Sequence, residues 1–383
     1  MFLQLTPMNN MRLNFDVLVE TMSFLGRSDV GVLMRTCQTL RKAGAPYILD
    51  GDIRLNNNNK IASFCHFMLQ RDSLGRFRYL RHLELSGRLL EFEESDLGKA
   101  IGCIFQNATH LESLVINDDG LFELDESISI AIASLPRLQK LELSFDNAEA
   151  TDMMQRMQAP LVEVKIHFDH DYDDGDDVLD GFRDPIVYFA AIKETLEDVC
   201  VSGYAQFDRH SEAYQYPLVE NLDIDVPHIF QPLKPMIEGY PNLRQLSIWT
   251  DSDVDFDDSA FFEFLVEARE GNLNDQETHG SWESLDVLSG ELSGLYALGI
   301  QCKVEHLDLA DARVKGETRC DALKELITDT TPSSLSLGIV PPEFNLLQLG
   351  TMLEPAINTL SSISLNVDFH GEGWVDPNGD LVS

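Results

Sequence analysis

"RYLRHLELSG", residues 78–87, sets apolar side chains at Leu80, Leu83 and Leu85 and polar ones between them. An apolar first, fourth and sixth position describes a short strand with one buried face. Alone it could belong to any sheet. The chain, however, repeats it as "HLESLVI" (Leu111, Leu114, Ile116), "RLQKLEL" (Leu138, Leu141, Leu143), "LVEVKI" (Leu161, Val164, Ile166) and "TLEDVCV" (Leu196, Val199, Val201). "VENLDI" (Val219, Leu222, Ile224), "NLRQLSI" (Leu243, Leu246, Ile248) and "SWESLDV" (Trp282, Leu285, Val287) continue the series. "KVEHLDL" (Val304, Leu307, Leu309), "PSSLSL" (Pro332, Leu335, Leu337) and "TLSSISL" (Leu360, Ile363, Leu365) complete it. The first positions step by 22 to 39 residues with an average of 28, and a partial copy, Ile53 and Leu55, lies upstream.

Between these strands the apolar spacing turns helical. "DLGKAIGCIFQ" carries Leu97, Ala100, Ile101, Ile104 and Phe105 on one face, the i, i+3, i+4 pattern of a half-buried helix. "ESISIAIASL", "DPIVYFAAIKET", "DSAFFEFLVEARE", "DALKELIT" and "NLLQLGTMLEPAIN" read the same way. One short strand and one helix cannot bury their apolar faces alone; stacked units share a continuous core. The expected fold class is therefore α/β, an irregular solenoid over 51–370 with parallel strands on one face and helices on the other. The pattern resembles a degenerate leucine-rich repeat. A tail, 371–383, follows.

Strand alternation then assigns an open face. It receives Glu84, Glu142, Glu163, Asp198, Asp223, Asp286 and Asp308, against only Lys140 and Lys165. Trp249 falls on the same outward row, expected near Asp225 and His167, and an exposed Trp among carboxylates is a candidate interface anchor. The candidate partner-binding residues are thus Trp249, Asp225, His167, Glu142, Asp198, Asp223, Asp286 and Asp308. Two acidic runs, 169–180 and 251–258, follow strands directly. Neither is an EF-hand loop: the first has Asp174 where the loop needs Gly, the second Phe256 there and Phe262 at its last position. No metal site is expected.

Acidic residues number 65 against 28 basic ones, a formal charge of −37. Such a field repels nucleic acid and anionic membrane, which are not expected partners, and favours a basic protein segment. No run approaches the ~20 apolar residues of a membrane span, and the first residues do not read as a secretory signal. Six scattered cysteines fit free thiols in a reducing compartment, cytoplasmic or nuclear, better than a disulfide framework. Phosphate loops, nucleophile elbows and metal-ligand spacings are missing from the sequence, so neither catalysis nor a cofactor is expected.

Residues 12–50 obey other rules. Five basic residues (Arg12, Arg27, Arg35, Arg41, Lys42) meet four acidic ones there. Asn14 is placed to cap a helix carrying Val17, Leu18, Met22 and Leu25 and ended by Gly26; Ser28 is placed to cap a second, through Val30, Leu33, Met34 and Cys37. A third segment runs through Leu40, Ala43 and Ala45 to Pro46. This segment resembles the F-box, which docks substrate receptors onto the Skp adaptor of cullin–RING ubiquitin ligases. Leu13 matches the family's opening Leu; Val17, Leu18, Met22, Phe24 and Leu25 match its first helix. Ser28, Asp29 and Val30 match the turn, and Leu33, Arg35 and Cys37 the second helix. The family's Pro is Asn14 here, and its bulky residue after the Cys is Leu40, which puts adaptor affinity in question more than the fold.

The resemblance, to fungal-type F-box receptors with irregular leucine-rich repeats, implies adaptor-binding residues Leu13, Asn14, Val17, Leu18, Met22, Leu25, Val30, Leu33 and Cys37. It implies a substrate-recognition subunit that reaches cullin through the adaptor and does no chemistry itself. The alternative is a repeat scaffold unconnected with ubiquitination whose first helices only cap the solenoid. Docking requires Leu13, Val17, Leu18, Met22 and Leu33 to stay uncovered; a cap would bury them.

Overall fold

The computed structural model describes residues 14–70, 75–86, 95–118, 120–144, 147–168, 184–203, 206–207, 214–226, 232–250, 259–309, 316–339 and 346–367. Leu13, the acidic runs 169–180 and 251–258, and the tail 371–383 lie outside them. The chain divides into two compact units, Met1–Leu138 and Gln139–Ser383.

The first unit opens with three helices, α1 (Phe15–Met22), α2 (Arg27–Met34) and α3 (Gln38–Leu49). The Asn14 side chain accepts from the Asp16 N–H at 3.2 Å, capping α1 as expected. Gly26 does not end α1, which stops at Met22; it stands instead at the N-cap of α2, and Ser28 lies inside that helix's first turn. Nor does Pro46 end α3, which runs three residues further. Residue 46 lies in a helix whose face toward the other two is already packed: Met22, Val30, Met34, Leu40 and Ala45 form the trio's own core.

After the trio the unit alternates strand and helix: β1 (Asp52–Leu55), α4 (Asn58–Met68), β2 (His82–Leu85), α5 (Ser95–Asn107), β3 (Ser113–Ile116), α6 (Leu121–Leu124) and α7 (Ser127–Ala133). β1, β2 and β3 pair in parallel and in order, with Ile53 beside Leu83 and Leu83 beside Leu114. The second unit continues with β4 (Lys140–Leu143), α8 (Ala148–Gln155), β5 (Glu163–Phe168), α9 (Pro185–Tyr188), β6 (Asp198–Gly203), β7 (Asn221–Val226) and α10 (Leu233–Gly239). β8 (Gln245–Thr250), α11 (Ser259–His279), β9 (Ser284–Gly290), α12 (Leu292–Leu298), β10 (Lys303–Leu309), α13 (Gly316–Thr330), β11 (Ser334–Ile339), α14 (Leu346–Met352) and β12 (Ser362–Val367) follow. Each strand from β4 to β12 is parallel to the next. All eleven copies of the opening stretch and the partial one are strands.

Each strand from β1 to β11 turns its fourth and sixth positions into the core, where Leu83, Leu114, Leu141, Val164 and Leu246 are all buried; in β12 the same positions, Ile363 and Leu365, stay exposed. Burying one such side chain stabilises by ~1.5–3 kcal/mol, and repetition is what holds so short a strand in place. Successive helices pack side by side behind the strands: α4 on α5 and α5 on α7 in the first unit, α10 through α14 in the second.

One strand is out of phase with the expectation. β9 pairs Leu246 with Leu288 and Ile248 with Gly290, and β10 pairs Val304 with Leu285 and Leu307 with Leu288. The inward set is Leu285, Leu288 and Gly290, not Trp282, Leu285 and Val287. Both settings put an apolar residue at the first two places, and pairing to two neighbours selects between them. The steps on either side become 42 and 19 residues. The long one holds the 21-residue α11 and the short one only α12, whose seven residues are all buried. Gly290 has φ +149°, and a Cβ there would overlap the Ile248 carbonyl oxygen. Glycine alone fits.

Two more helices differ from their sequence patterns. α11 runs nine residues beyond the apolar stretch because its polar half is anchored. Asn272 accepts from the Leu233 N–H at 3.0 Å and donates to the Ala297 carbonyl at 3.0 Å, and Gln276 donates to the Gly299 carbonyl at 2.7 Å. α9 lasts a single turn from its Asp184 cap before the chain tightens into a 3-10 turn at Ala190–Ile192.

Candidate interaction surfaces

The third, fifth and seventh positions of each strand form three rows across the open face. From β4 to β8 the third-position row reads Lys140, Glu163, Asp198, Asn221 and Gln245. The fifth reads Glu142, Lys165, Cys200, Asp223 and Ser247. Glu163 takes both lysines, a hydrogen bond from Lys140 and an ion pair with Lys165 at 3.6 Å. The Lys140 bond holds its carboxyl below the usual range, against the opposing pull of burial. Asp198 accepts from Asn221. Asp223 faces the Cys200 thiol, Sγ to Oδ2 3.9 Å; desolvation pushes the Asp223 carboxyl up, opposed by that thiol and by Lys165. Burial, with the Asp223 charge, likewise raises Cys200 to about 11. These residues floor a shallow concavity of about 400 Å³ across β5 to β8.

On the seventh-position row Asp225 stands beside Trp249 in the β7–β8 register, and Trp249 is half-exposed. His167 is not brought to them. It lies three strands away, about 14 Å at the usual strand spacing, and its Nδ1 is 2.8 Å from the Ser202 hydroxyl. Glu142, Asp198 and Asp308 lie half-buried on the open face. Asp286 does not: the phase of β9 moves it to the second position, at the N-terminal edge, where it meets Arg244 at 3.8 Å. Its expected place is taken by Ser289, whose hydroxyl is 2.6 Å from that of Ser247. One Asp308 carboxylate oxygen is buried with no hydrogen-bond partner among the described residues.

Arg244 marks a surface that strand alternation does not find. Where β6 to β9 begin, a concavity of about 660 Å³ is ringed by Glu197, Glu220, Glu283 and Asp286, with Arg244 between Glu220 and Asp286 at 3.8 Å from each. Arg244 and its acidic ring occupy second positions and the turns before strands, outside the in–out alternation, while Asp198 and Asn221 border it from the third-position row.

In the helix trio the adaptor-binding candidates separate into three groups. Met22 and Val30 lie in the trio's core, each 1% exposed, and cannot form a surface. Leu18, Leu25, Leu33 and Cys37 pack half-buried against that core, and Asn14 is exposed at the cap. Val17 is exposed, together with Phe15, Val32 and, at 81%, Phe24. Phe15 and Val32 lie outside the apolar stripes read from the sequence, and their exposure is seen only in the fold. The trio is tied to the first repeat: Phe67 of α4 packs on its core, and the Arg27 guanidinium donates to the Asp50 carbonyl at 2.7 Å and to that of Asp52.

Among the described residues no helix is long and apolar enough to cross a membrane, and no group of three or more His, Cys, Asp and Glu side chains is set to hold a metal. No family model matches this chain, and no curated protein does. The solved structures that it resembles include a chain of the Rad7 and Elc1 complex in yeast, at 13% identity with a TM-score of 0.34, over 91% of this chain and 90% of that one.

Proposed function

We propose that this chain is the substrate-recognition subunit of a Skp–cullin–F-box ubiquitin ligase, in which the helix trio docks the Skp adaptor and the acidic open face holds a basic protein segment. The observation that carries the reading is the apolar surface of the trio. Phe15, Val17, Phe24 and Val32 stay exposed although a complete small core lies directly behind them. Large apolar side chains left exposed beside a finished core suit a protein contact, and the F-box resemblance names which. Catalysis belongs to other subunits, and the work of the chain is to bring two proteins together, in the cytoplasm or nucleus.

The open face supports the second half. Glu142, Asp198, Asp223 and Asp225 outnumber the cations left over once Glu163 has taken both lysines, and Trp249 adds an aromatic anchor at its edge. Charge of this kind speeds capture of a basic partner and rejects acidic ones more than it adds affinity.

A repeat scaffold with the trio as its cap is the second reading, favoured by the Phe67 and Arg27 contacts that seat the trio on the first repeat. Capture of purified Skp adaptor by the full chain separates the two. Binding that falls at least tenfold in Phe24→Glu and Val32→Glu, with the circular dichroism unchanged, supports the docking reading. A wild-type chain that retains no adaptor leaves the scaffold.

A further inference from the structure

The two described tryptophans have different surroundings. Trp282 is 5% exposed and its indole N–H donates to the Tyr240 carbonyl at 2.8 Å, so it serves the core. Trp249 stands half-exposed on the open face, with Asp225 beside it in the β7–β8 register. Two residues back along the same strands are Ser247 and Asp223, a registered pair that lines the concavity of about 400 Å³. Trp249 is therefore on the rim of that concavity. Among the described residues Asp223 has no ion pair of its own. The Ser247 hydroxyl turns to Ser289 at 2.6 Å, the Cys200 thiol stands 3.9 Å from Asp223, and Lys165 is held by Glu163 at 3.6 Å. Other carboxylates of these rows are differently placed: Glu163 takes both lysines, and Asp198 accepts from Asn221.

An aromatic face with carboxylates near it attracts a cation through the ring's quadrupole and through charge at once, and indole does so best. A guanidinium suits the place better than an ammonium. It is planar, stacks on an aromatic ring, offers carboxylates a fork of donors and gives up its water more readily. A net charge of −37 disfavours an acidic ligand. We infer that the open face reads an arginine of its partner, whose guanidinium lies on the Trp249 indole within reach of Asp225 and Asp223. The inference rests on the open face as the seat of a basic segment, not on the helix trio, and it separates arginine from lysine.

Anisotropy of labelled peptides on the full chain tests this. The probes are Gly–Ser peptides with arginines, lysines or citrullines at the same positions, so that the first two match in charge. The arginine peptide is expected to bind roughly fivefold or more tightly than the lysine peptide, and the citrulline peptide not to bind. Trp249→Leu, with circular dichroism unchanged, should bring the two to equal affinity, and Trp249→Phe, which restores an aromatic face, should keep part of the preference. Asp223→Asn combined with Asp225→Asn should weaken both peptides. Equal binding of the two by the wild type, binding of neither, or a preference that survives Trp249→Leu overturns the inference. So does displacement of the arginine peptide by a neutral oligosaccharide such as maltohexaose, since the indole then stacks on a sugar. Adaptor capture by the same chain is read separately. Capture without the arginine preference sinks this inference alone, and the preference without capture sinks the docking reading alone.

Discussion

Asp223 sits on the floor of the open-face concavity, where its carboxyl loses water without gaining a cation of its own. Lys165 lies near but is already engaged by Glu163. Desolvation therefore outweighs the Cys200 thiol and Lys165 and raises the Asp223 carboxyl above its ordinary value. A group whose folded pKa is raised adds stability that is complete below its unfolded pKa and is lost as pH climbs through the folded one. Asp223→Asn is therefore expected to raise the urea midpoint at neutral pH, with the gain fading as pH falls through the raised carboxyl's titration and gone below the ordinary carboxylate range. Equal midpoints at neutral pH would mean that the carboxylate is satisfied as it stands. Glu163 has the opposite sign. Its lowered pKa contributes stability above the ordinary carboxylate range that is lost on acidification, and its exposure to solvent keeps the contribution small. Two carboxylates two strands apart on the same face thus respond to pH in opposite directions because only one of them has the lysines.

At the scale of elements, the strand signature is legible wherever only one phase of it is apolar. "RHLELS" and "NLRQLSI" permit a single setting, and the structure has it. "SWESLDVLSG" permits two, three residues apart, since Trp282, Leu285 and Val287 satisfy the spacing as well as Leu285 and Leu288 do. Hydrogen bonding to β8 and β10 chose the second and carried Asp286 off the open face. Paired substitutions report the choice. Leu288→Ala, at a fully buried position, should cost about 2–5 kcal/mol, whereas Val287→Ala, on the half-open side, should cost less than about 1 kcal/mol. Denaturant unfolding of both variants would show the reverse order if the setting were the other one. Helix ends were less legible than strands for a related reason: Asn272 and Gln276 read as ordinary surface polars until the backbone groups they satisfy are in place.

The whole molecule carries its charge unevenly. Residues 12–50 are close to neutral while the repeats hold nearly all of the excess, so the trio can meet a partner without the repulsion that the rest of the chain imposes. That excess also strains the folded state through self-repulsion, which salt screens over a Debye length of about 8 Å at physiological strength. Raising sodium chloride from low to near-molar concentration is therefore expected to lift the melting temperature by roughly 2–5 °C, read by scanning fluorimetry. A melting temperature that falls with salt would show that favourable ion pairs, such as Lys140–Glu163 and Arg269–Asp329, outweigh the repulsion.

Within each unit the strands, their order and their parallel sense were legible along the chain, as was the separate helical start. All of these follow from a local apolar period that cannot be buried except by stacking. Tertiary structure alone decided which of two phases β9 adopts, that Met22 and Val30 are core while Phe24 and Val32 are surface, and that His167 bonds Ser202 far from Trp249. Each of those is a choice between neighbours, made when strands and helices from distant parts of the chain meet, and a period read along one dimension does not contain it.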